Sequence, residues 1–591
     1  MRNKSNIKII ILALGIFIAV VGITNYSIFN DQDGTVENRG KSSLKIPKIS
    51  EFWPNCPPIH IQNDNWSATP LPWIQIGLGT EINPHIIENL TINGRGAGNG
   101  IFIENSNDYF IVRNCTIYNC SIGIRLDNTN YGTLTNNNCS NNNDGIGLNN
   151  NCHNNTISEN FASNNSQYGI YLENCNNNLI SENILDHNQV GIFFLENCMF
   201  NTILRNTVNT SEFAGIMIVF DGDNNLISEN FVSNNSQYGI LLDGNNNLIS
   251  ENFVSNNSQY GIYLDGNNNL VSENFVSNNG EDGIYLYGND NLVSENFVSN
   301  NGEYGILASG SINVISGNTI IDNGIHGILA YGTINVISGN TIINNGDSGI
   351  YLTGIFTSFN VISENFICEN HYGINLYQYA INNDIFENFI YYNTNGAIYI
   401  YSTDTYDNEI IRNVLVSKND TFVVYDGDIN DISVYLNYEL RSPPRLNVTI
   451  INQLFSMTEF NIIINVFSEV RIDFSIETIQ ILWNDILVPS KNITKIGKWL
   501  YNLSLTPIFV NMGEEPILLN ITISAFGYET SFFETYIAVD PDTLEKGIVQ
   551  DGDEFLFLIL ITALISTAGG IGATIITIGI LRKRKPTKEV I

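Results

Sequence analysis

Basic residues are scarce in this chain. Lysine and arginine number 25 against 59 aspartates and glutamates in 591 residues, a formal net charge of -34. A phosphate backbone would repel such a surface, which excludes a general nucleic-acid binder. Eight cysteines are too few and too scattered for a disulfide framework. Six histidines and five methionines leave no His/Met/Cys cluster with metal-ligand spacing, apart from the lone neighbours Cys152 and His153. Disorder is excluded from the other side, because 28 Tyr, 31 Phe and a dense Ile/Leu/Val supply can build a core.

What abounds is asparagine, 94 of them. Asn tolerates the left-handed backbone region and bonds its own turn, so the excess predicts many turns of one recurring type. The turns are periodic. A Gly-Ile pair recurs at Gly100, Gly123, Gly145, Gly169, Gly191, Gly215, Gly239, Gly261, Gly283, Gly305, Gly327, Gly349 and Gly373, with Gly-Ala at Gly396. The 22- to 24-residue intervals define a repeat protein. An Asn keeps step eight or nine residues before each Gly, from Asn114, Asn136 and Asn160 through Asn230, Asn252, Asn274 and Asn296 to Asn388. Between these markers lie β-type triplets such as Ile262-Tyr263-Leu264, too short and turn-rich for helices.

A coil of short strands returning every 22 residues or so is a parallel β-helix, here of about 14 coils. At about 4.8 Å per coil it forms a rod of roughly 65 Å. Like residues then stack in columns, with Ile240/Ile262/Ile284/Ile306 and Leu242/Leu264/Leu286 filling the core. The Asn column, Asn230, Asn252, Asn274 and Asn296 among its members, is expected to form a ladder of amides bonded above and below. Cys152, Cys175 and Cys198 fall at matching places in successive coils and read as a buried thiol stack. One neighbouring pair remains able to oxidise outside a cell.

The segments Asn-Gly-Arg-Gly-Ala-Gly-Asn-Gly-Ile at 93–101, Ile111-Val112-Arg113-Asn114-Cys115 and the repeated Asn-Asn-x-Ile-Ser-Glu-Asn resemble the right-handed β-helix repeats of the NosD-like family. The resemblance covers roughly residues 80 to 425. It implies a right-handed parallel β-helix related to carbohydrate-binding proteins and sugar hydrolases. Family members linked to copper delivery would imply a metal role, but the residues supply no ligand set for one.

The flanks differ. Residues 1–30 carry an apolar run, Ile9 to Ile23, behind Arg2, Lys4 and Lys8, which reads as a signal peptide or N-terminal anchor. A polar linker follows over 31–50, then an N-terminal cap and first coil over 51–99, the repeats over 100–430 and an immunoglobulin-like β-sandwich over 431–540. An acidic linker at 541–554 precedes the apolar run Phe555 to Leu581, about 40 Å long as a helix and long enough to cross a bilayer. The basic tail 582–591 opens with Arg582 to Lys585. The positive-inside rule places both tails in the cytoplasm and the body outside the cell, on a transmembrane helix.

For function the sequence offers two readings. One is a non-enzymatic, membrane-anchored surface protein that binds carbohydrate or another cell-surface polymer, or acts in adhesion. The other is a carbohydrate-active enzyme, a polysaccharide lyase, hydrolase or epimerase, on the same scaffold. Near-identical coils supply no singular residues, so a catalytic site is sought on irregular coils, where Arg113, Arg125, Asp127 and Asp144 form the mixed acid–base group. Tyr171, Tyr263, Tyr285 and Tyr351, two residues after their glycines, are expected to point outward beside Asp243 and Asp265, a surface suited to sugar stacking. Glu229, Glu251, Glu273 and Glu295 precede the ladder asparagines and repel one another, which calcium would relieve. No cofactor is certain, and calcium is the one cation the pattern suggests.

Overall fold

A computed structural model describes residues 53–68, 73–96, 98–401, 404–417, 421–426, 432–435 and 437–440, and strand residues between 446 and 578. Residues 1–52, with the expected signal peptide or anchor, lie outside the described residues. The body is a right-handed parallel β-helix. Each coil contributes three short strands, for instance Phe253–Ser255, Ile262–Asp265 and Leu270–Ser272. The first ladder, built on the Gly-Ile strands, has 16 members from Ile59–Gln62 to Val423–Asp426. It exceeds the 14 glycine-marked coils because its two terminal strands lack the marker.

The second ladder runs from His85–Glu88 to Ser433–Tyr435, and Ile74–Gln75 folds back antiparallel onto its first strand. The third begins with Trp53–Cys56 and Leu90–Asn93. It narrows to single bridges at Asn138 and Phe161 and continues from Ile184–Asp186 to Tyr438–Leu440. The rod therefore extends to Leu440, ten residues past the point where the Gly/Asn punctuation stops. At the other end Trp66 is buried, stacked on His85 at 4.5 Å.

Four inward positions per coil make the core. Ile240, Leu242, Ile249 and Val254 are wholly buried, as are their successors Ile262, Leu264, Val271 and Val276. The glycine marker has a steric cause. A Cβ on Gly261 would lie 2.5 Å from Val276 Cγ1, 2.6 Å from the Gly283 carbonyl oxygen and 2.7 Å from the Asn279 amide nitrogen. No side chain fits there, so the period of the glycines is the period of the coils.

The asparagine ladder is present, and it is one of three. In the expected column the Asn252 amide donates to Asn274 Oδ1 at 3.0 Å and the Asn274 amide to Asn296 Oδ1 at 2.9 Å. Asn274 also donates to the Ile249 carbonyl at 2.9 Å, while its Oδ1 accepts from the Asn252 backbone N–H at 2.9 Å. A second column runs through Asn257, Asn279 and Asn301, and a third through Asn247, Asn269 and Asn291. Two expected members are displaced by one residue. The column takes Asn137, not Asn136, and Cys115 stands where Asn114 was expected, its N–H donating to Asn137 Oδ1 at 3.0 Å. The run Asn136-Asn137-Asn138 hides this register.

The left-handed backbone belongs to the residue before the ladder Asn. Glu229, Glu251, Glu273 and Glu295 have φ of 55° to 58°, and Gly317 and Gly339 occupy the same place in later coils. All eight cysteines are free and buried, with Cys152, Cys175 and Cys198 stacked in the core.

Beyond the rod, Leu446–Phe455, Phe460–Ser468, Leu500–Leu505 and Ile493–Gly497 form an antiparallel sheet. A second antiparallel sheet joins Ile476–Trp483, Ile486–Leu487, Ile517–Ala525 and Ser531–Ile537. Within the expected membrane span the described residues are two paired strands, Ile561–Leu564 and Ile575–Ile578, and most of the span lies outside the described residues. Among the described residues no helix is long and apolar enough to cross a membrane.

The column arrangement makes a definite prediction. Deleting one whole unit, Glu251 to Ser272, rejoins like with like and should leave a folded, shorter rod. Deleting eleven residues shifts every later strand out of register and should unfold it. Circular dichroism of the two full-length deletion variants checks this; equal loss of β-structure in both would contradict it.

Candidate functional site

Outward positions of the first ladder form three columns. One residue before each glycine stand Tyr238, Tyr260, Asp282, Tyr304 and His326. Two after it stand Tyr263, Tyr285 and Tyr351, and four after it Asp243, Asp265, Tyr287, Ser309 and Tyr331. The rings pack along the rod. Tyr263 lies on Tyr285 at 4.9 Å with 12° between planes, and Tyr238 on Tyr260 at 5.5 Å. His326 is sandwiched between Tyr304 at 5.4 Å and Tyr351 at 4.4 Å. Tyr171 packs against Tyr168 and Phe193, with its hydroxyl donating to Glu173 at 2.9 Å. The sequence-expected tyrosines thus point outward, but they spend their faces on neighbouring rings.

Asp243 and Asp265 share this ladder, register partners in adjacent coils. Partial burial, then the neighbouring Asp243 charge, pushes the Asp265 carboxyl above its ordinary range. The glutamate column is elsewhere. Glu229, Glu251, Glu273 and Glu295 are exposed in the turn between the second and third ladders, one per coil. Among the described residues no three His, Cys, Asp or Glu side chains gather closely enough to hold a metal ion.

The mixed acid–base group divides. Arg113 lies on the second ladder, paired with Glu88 at 2.7 Å. Arg125 and Asp127 pair with each other on the first ladder at 2.8 Å, and Arg125 lies over Phe102. Asp144 follows in the next coil, accepting from the Tyr168 N–H at 3.2 Å, and burial pushes its carboxyl up to about 6.

The most perturbed acid on the aromatic face is one that sequence reasoning passed over. Asp282 is 3% exposed and accepts from the Tyr304 N–H at 3.1 Å. Burial, helped by the charges of Glu303 and Glu281, pushes it up to about 7 despite that hydrogen bond. The signal was legible: Gln259-Tyr260-Gly261 becomes Glu281-Asp282-Gly283 in the next coil, a break in a near-identical series. His326 accepts from the Ser348 N–H at Nδ1, 3.2 Å away, and burial holds its pKa down to about 4, so it is neutral.

Free aromatic surface lies one column over. Tyr287 and Tyr331 are 53% and 37% exposed in the same column, with Ser309 between them. The longer coil at 354–357 raises Ile355 and Phe356 beside Tyr331. This leaves a groove of about 730 Å³ lined also by Ser309, Ser311, Thr333 and Thr357. It combines an apolar wall with hydroxyls, the mixture that small-molecule sites use.

A model of periplasmic copper-binding protein (NosD) matches residues 80–214, and one of the right-handed β-helix region matches 216–354 and 262–415. The chain is a NosD-like right-handed parallel β-helix protein. Among solved structures, the NosD-like rod is similar to a DFA-IIIase mutant from Arthrobacter chlorophenolicus A6 at 16% identity and a TM-score of 0.29, covering 32% of this chain and 55% of that one. This chain therefore spans about half the length of that enzyme. It is similar to the A-module of mannuronan C-5 epimerase AlgE4 from Azotobacter vinelandii at 15% identity and 0.28, covering 58% and 91%. It is similar to the Dettilon tailspike protein at 14% and 0.24, covering 76% and 86%. Such identities and scores transfer no site to this chain. No curated protein sequence matches it.

Copper does not fit the residues present. Cys152 is wholly buried and donates to the Asn149 carbonyl at 3.1 Å, while His153 Nδ1 accepts from the Asn176 N–H at 3.1 Å. Among the described residues no three His, Cys, Asp or Glu side chains gather closely enough there to hold a metal ion.

Asp282 gives a pH test. Its pKa is raised on folding, so the folded rod holds a proton that the unfolded chain releases. Stability should fall by up to about 1.4 kcal/mol per pH unit as pH rises from about 4 to about 7. Asp282→Asn should remove that slope and raise the melting temperature at pH 8. Melting curves across pH check it; a slope unchanged by the substitution contradicts it.

Proposed function

We propose that this protein is a membrane-anchored surface rod that binds carbohydrate outside the cell. The observation that carries this reading is the groove lined by Tyr331 and Phe356, where exposed rings stand beside Ser309, Ser311 and Thr333, with Tyr287 exposed two coils from Tyr331 in the same column. Sugar rings present an apolar face and a polar edge. Unstacked aromatic faces beside hydroxyls match both. Tyr287 and Tyr331 are two coils apart, about 10 Å, so a chain of linked sugars running along the rod meets both. The apolar run Phe555 to Leu581 with Arg582 to Lys585 behind it supports an anchor, the body outside and the tail in the cytoplasm. The region 446–537, with two antiparallel sheets, supports an immunoglobulin-like sandwich between rod and membrane.

One observation favours the enzymatic alternative. Asp282 is a buried carboxyl whose pKa near 7 lets it hold or release a proton at neutral pH, beside Glu281, Glu303, Tyr260 and Tyr285. A polysaccharide lyase, hydrolase or epimerase would use such a group.

A glycan array probed with the full-length protein, with and without calcium, tests the binding reading. Retention should be calcium-independent. Tyr331→Ala and Phe356→Ala should each weaken it by about 0.5–1.5 kcal/mol, the value of one aromatic contact. Retention that survives both changes would sink the groove as the site. Cleaved or isomerised glycans recovered from the array, lost with Asp282→Asn, would establish the enzyme instead.

A further inference from the structure

On the third ladder, away from the groove, four successive coils place a phenylalanine outward: Phe231, Phe253, Phe275 and Phe297. Each is 36–41% exposed. Their rings lie 4.8 to 5.1 Å apart with planes within 8° of parallel. They form an apolar ridge about 15 Å long. It is bounded at both ends, since register places Thr207 before Phe231 and Thr319 after Phe297. Threonine at Thr207, Thr319 and Thr341 shows that the coil does not need an aromatic ring there. Four exposed rings in line, in a column that accepts threonine, mark a contact surface.

The ridge has a charged border. Glu229, Glu251, Glu273 and Glu295 stand exposed two residues before each Phe. Arg205 stands one coil before Glu229 in this column, paired with Glu182 at 3.4 Å, and beyond it the 206 residues from Asn206 to Ile411 contain 22 acids and no lysine or arginine. A second copy of this chain would bring four more carboxylates to the same ridge.

We propose that this ridge docks a basic amphipathic α-helix of a partner protein. Helical pitch argues for it. One helical turn advances about 5.4 Å, close to one coil, so one apolar residue per turn meets one phenylalanine along the whole ridge. Lysines or arginines on the adjoining helix stripe then face the glutamate column. An extended strand advances about 6.6 Å between side chains on one face and falls out of step within two coils.

The probe is a synthetic helix of roughly 14 residues with a leucine stripe and a lysine stripe, titrated into the full-length protein by fluorescence anisotropy. Binding should saturate. The double change Phe253→Thr with Phe275→Thr places a residue the column already accepts and should weaken it about tenfold or more. Glu251→Gln with Glu273→Gln should weaken it and flatten its dependence on salt. A peptide of the same composition, scrambled so that the leucines no longer align, should bind at least about tenfold more weakly. Equal binding by the scrambled peptide would show only a diffuse attraction to acid and would overturn the proposal. So would unchanged binding by the threonine variant, its folding confirmed by melting. Self-association of the protein alone, abolished by the threonine changes, would make a second copy the occupant and equally overturn it.

Discussion

Each coil is tied to the next by buried amide-to-amide hydrogen bonds, and the columns of this rod depend on them. A backbone ladder alone fixes strand spacing but leaves the corners of the coil free to drift. At each corner a buried asparagine bonds its counterpart in the next coil and a carbonyl in the previous one, as Asn274 does with Asn296 and Ile249. The amide satisfies backbone groups that a turn would otherwise bury unpaired. Three such columns, one per corner, hold successive triangular coils in one register.

That register makes exposure and chemistry periodic. The same four apolar residues per coil fill the core, the glycines yield to the ladder amides and valines of the next coil, and outward positions become stripes. Asp282 among tyrosines, the lengthened coil at 354–357 and the four phenylalanines between threonines are the places where repetition breaks. They are also where a proton, a groove and a contact ridge appear.

Much of this was legible in the chain. The glycine period gave coil length because a close approach forbids any side chain, and the asparagine period gave the ladder because an amide both donates and accepts. The two further ladders were hidden by abundance: runs such as Asn136-Asn137-Asn138 and Asn267-Asn268-Asn269 offer an amide at every offset, and only the folded coil decides which one is buried. The glutamates were legible as a column, but not as residues in left-handed backbone, because Glu has no preference for that region. Tyr263 and Tyr285 were read as outward, correctly; that they would stack on each other follows from a coil spacing close to ring-stacking distance. The groove was out of reach, since it depends on how the three residues added to that coil lift Phe356 beside Tyr331.

The amide ladder is tested most directly by thermal unfolding of the full-length protein carrying Asn274→Leu, beside Glu273→Gly. The leucine leaves the Asn252 donors, the Ile249 carbonyl and the Asn296 Oδ1 short of partners, each at about 1–3 kcal/mol. The glycine relieves a left-handed glutamate in a column that already holds Gly317 and Gly339. The expected result is a marked fall in melting temperature for Asn274→Leu and no fall, or a rise, for Glu273→Gly. A melting temperature unmoved by Asn274→Leu would contradict the account.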